Sequence, residues 1–436
     1  MFKDKRVIVV GMARSGIAAA ELLIENGAIV TVNDSKSDVE GLDHLSASLD
    51  LGGQPSHLDY DMMVLSPGVP TDLPFVLEAK SKMKVIGALE VGYLLSRGHF
   101  YGITGTNGKT TTTTLTYNIF KEAGTDAYAV GNIGQAVASV AKHTTENSHL
   151  ITEVSSFQLE SIEKFRVHIA AITNLAPDHL NRHKTMENYI GSKLRLTENQ
   201  SEEDYVILNH DNEPTRQLKG FKGKVVYISK QPLKEGFYIE HDWIVADLGG
   251  KVPVMPIDEI KVPGDHNLEN VLVAVAIAYL AGVEIQHIRS AIGKFTGVEH
   301  RIEFVGTYHG IKCYNDSKAT NPESSIVAVN SMKSPTLLIA GGMDKGSEFS
   351  SFVETFKPVK HLILLGETKE MIAAEARKQG FEAISFVDDM DQAVKLAFDL
   401  GEAGDILLLS PACASWDMYP SYEVRGEHFK SCLEMY

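Results

Sequence analysis

Three times along the chain, short runs of β-branched and aliphatic residues that end on Gly, Asp or Ser alternate with segments of helical length. That order constrains the fold more than any other feature. RVIVV (6–10) precedes a helical stretch over 16–26, then come AIVTVND (28–34) and DMMVLSP (61–67). The pattern restarts with HFYGITG (99–105), SHLITEVS (148–155) and HIAAITNL (168–175). A third set comprises GIKCYNDS (310–317), TLLIAGG (336–342), HLILLGE (361–367), AISFVDD (383–389) and DILLLSP (405–411). Strands interleaved with helices predict an α/β chain with parallel sheets and crossover helices. At about 150 residues per domain, 436 residues give three domains. Their expected bounds are 1–92, 93–297 and 298–436. Ligands of such sheets sit at the carboxyl edge of the strands.

Composition narrows the ligands. The chain has 41 basic and 57 acidic residues, hence a formal charge of −16. No nucleic acid is expected as the main partner, because phosphate-backbone binding needs a basic footprint. A small anion in a locally positive site remains compatible with that figure. Cys313, Cys413 and Cys432 fit neither an even disulfide framework nor a closely spaced metal pair, so a reducing cytoplasm is expected. The apolar run VIVV stops at Gly11 after four residues, whereas a signal-peptide core needs about 7 to 15. No apolar stretch reaches the roughly 18 residues of a membrane span; VLVAVAIAYLAG (271–282) reads as a core helix. No exposed heptad or long apolar stripe argues for an assembly, so a monomer is expected.

The sharpest local signal is YGITGTNGKTTTT (101–113), a strand running into a glycine-rich turn with Lys109 and Thr110 at a helix start. Glycines let backbone N–H groups close around phosphate oxygens, the helix terminus adds positive potential, and a lysine neutralises β/γ charge. The loop departs from the G-x-x-x-x-G-K-[ST] pattern, since Ile103 stands at the first glycine position and the glycines are Gly105 and Gly108. Thr110 offers a hydroxyl to Mg²⁺. Hard cations want further oxygen ligands, and Glu153, at the end of LITEVS, shares the sheet edge. His179, taken as the end of the following strand in TNLAPDHLNRH, can also converge there, with Asp178 a competing ligand. In the first domain GMARSG (11–16) followed by Asp34 imitates a dinucleotide fingerprint. Ala13 occupies the second glycine position, which weakens an oxidoreductase reading.

Together with TGTNGKT (104–110), the segments SPGVP (66–70), EVSSFQLE (153–160), NDSKATNP (315–322), AGGMDKG (340–346), LSPACASWDMY (409–419) and RGEHF (425–429) resemble the Mur ligase family from end to end. Those ATP-dependent enzymes add amino acids to the peptidoglycan precursor, and the match is to the branch that adds D-glutamate. The resemblance implies a Rossmann-like UDP-binding first domain, a central P-loop-type ATPase domain with a parallel sheet, and a Rossmann-like C-terminal domain. It implies ligation of D-glutamate to UDP-N-acetylmuramoyl-L-alanine through an acyl phosphate, in cytoplasmic cell-wall precursor synthesis.

Carried over onto this sequence, Gly105, Thr106, Asn107, Gly108, Lys109, Thr110 and Thr111 would hold ATP. Asn267 and Asn270 of GDHNLEN (264–270) would lie under adenine. Arg301 and Asp316 would reach the phosphates or ribose. Two Mg²⁺ sites are implied, one on Thr110 and Glu153, the other on His179. Lys193, in ENYIGSKLRLTEN (187–199), matches a lysine that becomes carbamylated, turning a cation into an anion that supports the second metal. Lys318 would act near the reacting carboxylate. Lys345, Thr320, Ser415 and Tyr422 would bind D-glutamate, Tyr422 standing where relatives carry an aromatic. Gly11, Ser15 and Gly16 would meet the diphosphate, with Asp34, Ser35, Ser66, Pro67 and Gly68 near uridine and Asn132 at the muramoyl group. The readings set against this one are a sister ligase for a diamino acid, a folylpolyglutamate synthetase, an NAD-dependent redox protein and a P-loop switch ATPase.

Overall fold

A computed structural model describes residues 1–262, 265–344 and 346–436, and gives backbone alone at 181, 265 and 266. Lys345 therefore lies outside the described residues.

The chain forms three sheets. The first contains β1 (Arg6–Val10), β2 (Ile29–Asp34), β3 (Ser48–Leu51), β4 (Met62–Leu65) and β5 (Lys84–Gly87) in the order β3-β2-β1-β4-β5. All its pairings are parallel. The order reverses between β1 and β4, which opens a crevice beyond their carboxyl ends.

The second sheet contains β6 (His99–Thr104), β7 (Ala127–Gly131), β8 (His149–Glu153), β9 (Ile169–Ile172), β10 (Tyr205–Asn209), β11 (Lys224–Ser229), β12 (Gly236–Glu240), β13 (Trp243–Asp247) and β14 (Lys251–Pro256). Its order is β14-β13-β12-β11-β10-β9-β6-β8-β7. Strands β12 to β14 pair antiparallel and the rest parallel. The reversal now falls at β6, flanked by β8 and β9, so the glycine-rich loop leaves the sheet at its switch point.

The third sheet contains β15 (Glu303–Tyr308), β16 (Ile311–Asn315), β17 (Thr336–Ala340), β18 (Val359–Leu364), β19 (Ile384–Phe386) and β20 (Ile406–Leu409), ordered β15-β16-β20-β17-β18-β19. Only β15 is antiparallel to its neighbour. Strand β17 shows why its run LLIA (337–340) is apolar throughout. Leu338 and Ala340 enter the core on one face of the sheet, Leu337 and Ile339 the core on the other. A parallel strand covered by helices on both sides has no polar face.

By compactness the chain separates into two units, Met1–Phe295 with the first two sheets and Thr296–Tyr436 with the third. The expected boundary at 92 falls inside the helix Ala88–Leu95. There Gly92 lies so close to the next sheet's connection that a Cβ would meet Ala138 N at 2.6 Å. Small residues Ala136, Ala138 and Ala141 complete the core of the first sheet, which is why the first two sheets cohere. Within the described residues no helix is long and apolar enough to cross a membrane.

Candidate active site

Strand β6 delivers the glycine-rich loop between the carboxyl ends of β8 and β9. Gly105 and Gly108 both have positive φ, +142° and +81°. Gly108 is the left-handed N-cap of the helix Lys109–Glu122, whose first residues are Lys109, Thr110 and Thr111. A Cβ on Gly105 would overlap Thr173 Oγ1, and one on Gly108 would overlap Asn270 Oδ1. Glycine is therefore required twice, by conformation and by close approach. Gly108→Ala is expected to cost about 1–3 kcal/mol in thermal unfolding and to weaken ATP binding as Asn270 is displaced.

The rest of the loop is pinned from β9. Thr106 N–H donates to Asn174 O at 2.9 Å, and Asn107 N–H to Asn174 Oδ1 at 2.8 Å. The Thr173 hydroxyl donates to Asn107 O at 2.6 Å. Thr106 Oγ1 lies 3.1 Å from the Tyr189 hydroxyl. Sequence reasoning passed over Thr173, Asn174 and Tyr189; the TN pair just past β9 signals the first two and nothing signals Tyr189. Asn270 sits against Gly108, with Asn270 Nδ2 donating to Asn267 Oδ1 at 3.0 Å and Thr112 Oγ1 3.4 Å from Asn270 Oδ1. Asn270 thus buttresses the turn, while Asn267 is the more exposed of the pair.

Glu153 lies opposite Ile103 in the β6–β8 register and is 1% exposed. Its Oε1 accepts from Asn132 Nδ2 at 2.8 Å. Its Oε2 is buried without a hydrogen-bond partner among the described residues. A carboxylate oxygen left so beside a phosphate loop is costly unless something else satisfies it, and a hard divalent cation does so. The orphaned Glu153 oxygen therefore fits a hard cation such as Mg²⁺, and Thr110 carries a hydroxyl at the helix start.

Two lysines converge on one carbonyl. Lys109 Nζ donates to Gly105 O at 3.0 Å and Thr106 O at 2.7 Å, and Lys193 Nζ donates to Gly105 O at 2.7 Å. Lys193 comes from the last turn of the helix Met186–Leu194, is buried, and lies 4.5 Å from the Tyr189 ring centroid. Burial, reinforced by the charge of Lys109 and opposed by Asp178 and Glu153, lowers its pKa to about 7. A buried amine near neutrality is a nucleophile, not merely a counter-ion.

His179 is not at a strand end. Strand β9 stops at Ile172, and His179 caps the short helix Leu180–His183 in a left-handed conformation, φ +52°. The loop TNLAPD intervenes because Asn174, Pro177 and Asp178 break extended pairing. His179 is half-exposed, 3.5 Å from Asp178 Oδ2. One turn on, the unforeseen His183 is buried, its Nε2 2.9 Å from Ser156 Oγ, and burial keeps its pKa low.

In the first sheet, Gly11 and Ser66 stand at the carboxyl ends of β1 and β4. A Cβ on Gly11 would meet Ser66 Cβ at 2.9 Å, and one on Gly16 would overlap Gly11 O. Asp34 Oδ2 accepts from Met12 N at 2.7 Å and Asp34 Oδ1 from Lys36 N at 3.0 Å. Partial burial raises its pKa, but these two backbone donors prevail and hold it below the usual carboxylate value. Ser35 Oγ lies beside Asp34, 3.5 Å away. Ser15 and Pro67, next to Gly68, line one small cavity together with Gly131 and Gln158.

In the C-terminal unit, the loops after β16 and β20 meet on Arg425 of the helix Tyr422–Leu433. Its guanidinium donates to Ser317 O at 2.8 Å, Cys413 O at 3.1 Å and Ala414 O at 3.2 Å. Met343 N donates to Ala414 O at 2.9 Å, so the AGGMDKG loop is tied to the same point. Asp316 is buried, accepting from Ser410 Oγ at 2.7 Å and Ile302 N at 3.1 Å. Burial pushes its pKa up to about 7 against these bonds and the charges of Arg301 and Arg425. Lys318 Nζ lies 5.5 Å from the Tyr422 ring centroid. The Thr320 N–H donates to Lys318 O at 2.9 Å, and Ser415 is buried where its carbonyl starts the turn to Tyr419. Sequence reasoning missed Arg425 as the hub, although RGEHF carries it.

Three family models match in order: the Mur ligase MurD-like N-terminal domain over 5–87, the Mur ligase middle domain over 103–278, and the Mur ligase glutamate ligase domain over 300–413. The chain belongs to the Mur ligase family. Within it, the chain is 46% identical to the UDP-N-acetylmuramoylalanine--D-glutamate ligase of Alkaliphilus metalliredigens, covering 99% of this chain and 98% of that one. It is 47% identical to the ligase of the same name from Clostridioides difficile, over 98% of both. Among solved structures, UDP-N-acetylmuramate-alanine ligase MurC of Thermotoga maritima superposes with a TM-score of 0.62 at 18% identity over 99% of each chain. That likeness concerns the three-domain α/β fold alone.

Proposed function

We propose that this Mur ligase joins D-glutamate to UDP-N-acetylmuramoyl-L-alanine at the expense of ATP, in the synthesis of the peptidoglycan precursor. The observation that carries the assignment is the identity of 46% along 99% of the chain with a ligase of that activity. The loop geometry supports the phosphate half of the reaction.

The alanyl carboxylate attacks the γ-phosphorus, the bond to the β-phosphate oxygen breaks, and ADP leaves. The D-glutamate amine then adds to the acyl carbon, and the tetrahedral adduct expels phosphate as the amine loses a proton. Both steps gather negative charge, so positioning and charge stabilisation dominate. Gly105 to Gly108 offer N–H groups to the phosphates, with Lys109 leaving the loop carbonyls to hold β/γ oxygens. Mg²⁺ would be held by Thr110 and Glu153, with His179 and Lys193 at a second ion, and supplies charge neutralisation at the phosphoryl oxygens.

Lys193 reacts with CO₂ in this reading. Its neutral amine attacks carbon, a proton departs, and a carbamate anion remains that can face a cation. A lowered pKa, near 7, supplies the neutral amine. Arg301 and Asp316 belong to nucleotide binding, with Asp316 acting as a brace of the loop that carries Lys318. Lys318, Thr320, Lys345, Ser415 and Tyr422 recognise D-glutamate. The loops Gly11 to Gly16 and Ser66 to Gly68, with Asp34 and Ser35, take the UDP end, and Asn132 the muramoyl group while it orients Glu153.

Phosphate release decides the matter. Purified protein with ATP and Mg²⁺ is offered UDP-N-acetylmuramoyl-L-alanine or a folate, each with D-glutamate, L-glutamate or L-lysine. Turnover is expected only with the UDP substrate and D-glutamate together. Equal turnover with L-lysine or with a folate would overturn the assignment.

A further inference from the structure

The C-terminal unit carries a second constellation of chemistry-bearing side chains that the ligase reaction does not use. His428 and Cys432 stand four residues apart on the helix Tyr422–Leu433, and therefore on one face of it. Asp391 faces them from the first turn of the helix Met390–Leu400. One ligand atom from each lies within 4.8 Å of the other two. His428 Nε2 is 3.2 Å from Asp391 Oδ2, and Cys432 Sγ is 3.6 Å from Asp391 Oδ1.

We propose that Asp391, His428 and Cys432 form a binding site for a thiophilic divalent cation of the zinc class, with a water completing the tetrahedron. Zinc bonds of about 2.0–2.1 Å to nitrogen or oxygen and about 2.3 Å to sulfur place tetrahedral N and O about 3.3 Å apart, S and O about 3.6 Å. The separations of 3.2 Å to Asp391 Oδ2 and 3.6 Å to Asp391 Oδ1 are of that order, one to each carboxylate oxygen, so a turn of the carboxylate brings imidazole and thiol onto a shared cation. The Tyr419 hydroxyl is 2.9 Å from His428 Nδ1. Accepting the Nδ1–H, it leaves the Nε2 lone pair for the metal, the outer-sphere arrangement that ligating histidines use. Cys432 is buried, whereas His428 and Asp391 are partly exposed, so the sulfur is shielded and a cation has a way in.

A comparison within the same unit sharpens the choice. Glu299, His300 and Glu427 also cluster, but the Lys430 ammonium already pairs with both carboxylates there and occupies the cation's place. Around Asp391 the described partners are His428 and Cys432. On coordination the Cys432 S–H bond breaks, an S–metal bond forms, and one proton passes to solvent. Burial and the charges of Asp391 and Asp389 hold the free thiol up at about 12, so the cation itself must drive that release.

The test uses Co²⁺ and Zn²⁺ with the full chain in metal-free buffer without ATP. Co²⁺ is expected to produce a thiolate-to-metal charge-transfer band that saturates at one equivalent, and Zn²⁺ to displace it. Cys432→Ser should abolish the band, and Tyr419→Phe should weaken binding about tenfold. Zn²⁺ should raise the melting temperature of the native chain and leave that of His428→Gln unchanged. Absence of the band, its persistence in Cys432→Ser, or equal stabilisation of His428→Gln would each overturn the site. Mg²⁺-dependent ligase turnover stays intact in all three variants, which separates failure here from failure of the ligase assignment.

Discussion

Lys109→Ala is expected to lower kcat/KM for ATP by about 10³-fold, equivalent to about 4 kcal/mol of transition-state stabilisation. The ammonium is already at the loop, 2.7 Å from Thr106 O, and has only to exchange carbonyls for phosphate oxygens. Alanine keeps the helix Lys109–Glu122 intact, since its helical propensity exceeds that of lysine. Unchanged circular dichroism together with lost ADP formation is the expected result. Activity within tenfold of the native enzyme would reduce Lys109 to a brace of the loop.

Lys193→Met should separate stability from activity. In CO₂-free protein the Lys193 pKa is about 7, against 10.5 for an unburied lysine. Between those values the unfolded chain binds more protons than the folded one, so stability rises with pH across that window. Below about pH 7 the full cost of the buried charge is present. Replacing the ammonium by an apolar chain removes that cost, and the variant should be more stable than the native chain by on the order of 1–3 kcal/mol at acidic pH. The difference should shrink as pH climbs towards 10. Turnover should fall at least about 100-fold, and a carbamate carbon signal seen with ¹³CO₂ in the native enzyme should vanish. Retained turnover, or an unchanged pH dependence of unfolding, would remove Lys193 from the proposed metal-supporting role.

The fold was legible where both faces of a strand are buried. VIVV (7–10), FYGI (100–103) and LLIA (337–340) are apolar and buried without a break, because crossover helices cover each side of their sheets. Strands β12 to β14 were not legible. They form an antiparallel meander, with residues such as Trp243 and Lys251 exposed, so they lack the strand–helix rhythm that marks the parallel strands. Around 92 the first two sheets stay in contact across the expected boundary. A new strand begins at His99, yet Gly92 and the alanines at 136, 138 and 141 weld the helix before it to the following sheet.

At the candidate site the local motifs were legible and the long-range partners were not. TGTNGKT declares its own turn, since two glycines before a lysine at a helix start leave few other conformations. Nothing in that motif points to Asn174, 67 residues away from Asn107, or to Asn270 beneath Gly108. Arg425 likewise reads as an ordinary helix arginine until two loops are seen to share its guanidinium.

What the sequence determined by itself was local chemistry: strands from uninterrupted apolar runs, turns from glycine, and the family from motifs in order. What only the tertiary structure decided was the state of the groups. Lys193 is a buried amine near neutrality, one buried oxygen of Glu153 has no hydrogen-bond partner among the described residues, and Asp316 braces a loop from within. The physical reason is that a pKa or an unmet hydrogen bond depends on burial and on charges a few ångströms away, and those neighbours are dozens of residues distant along the chain.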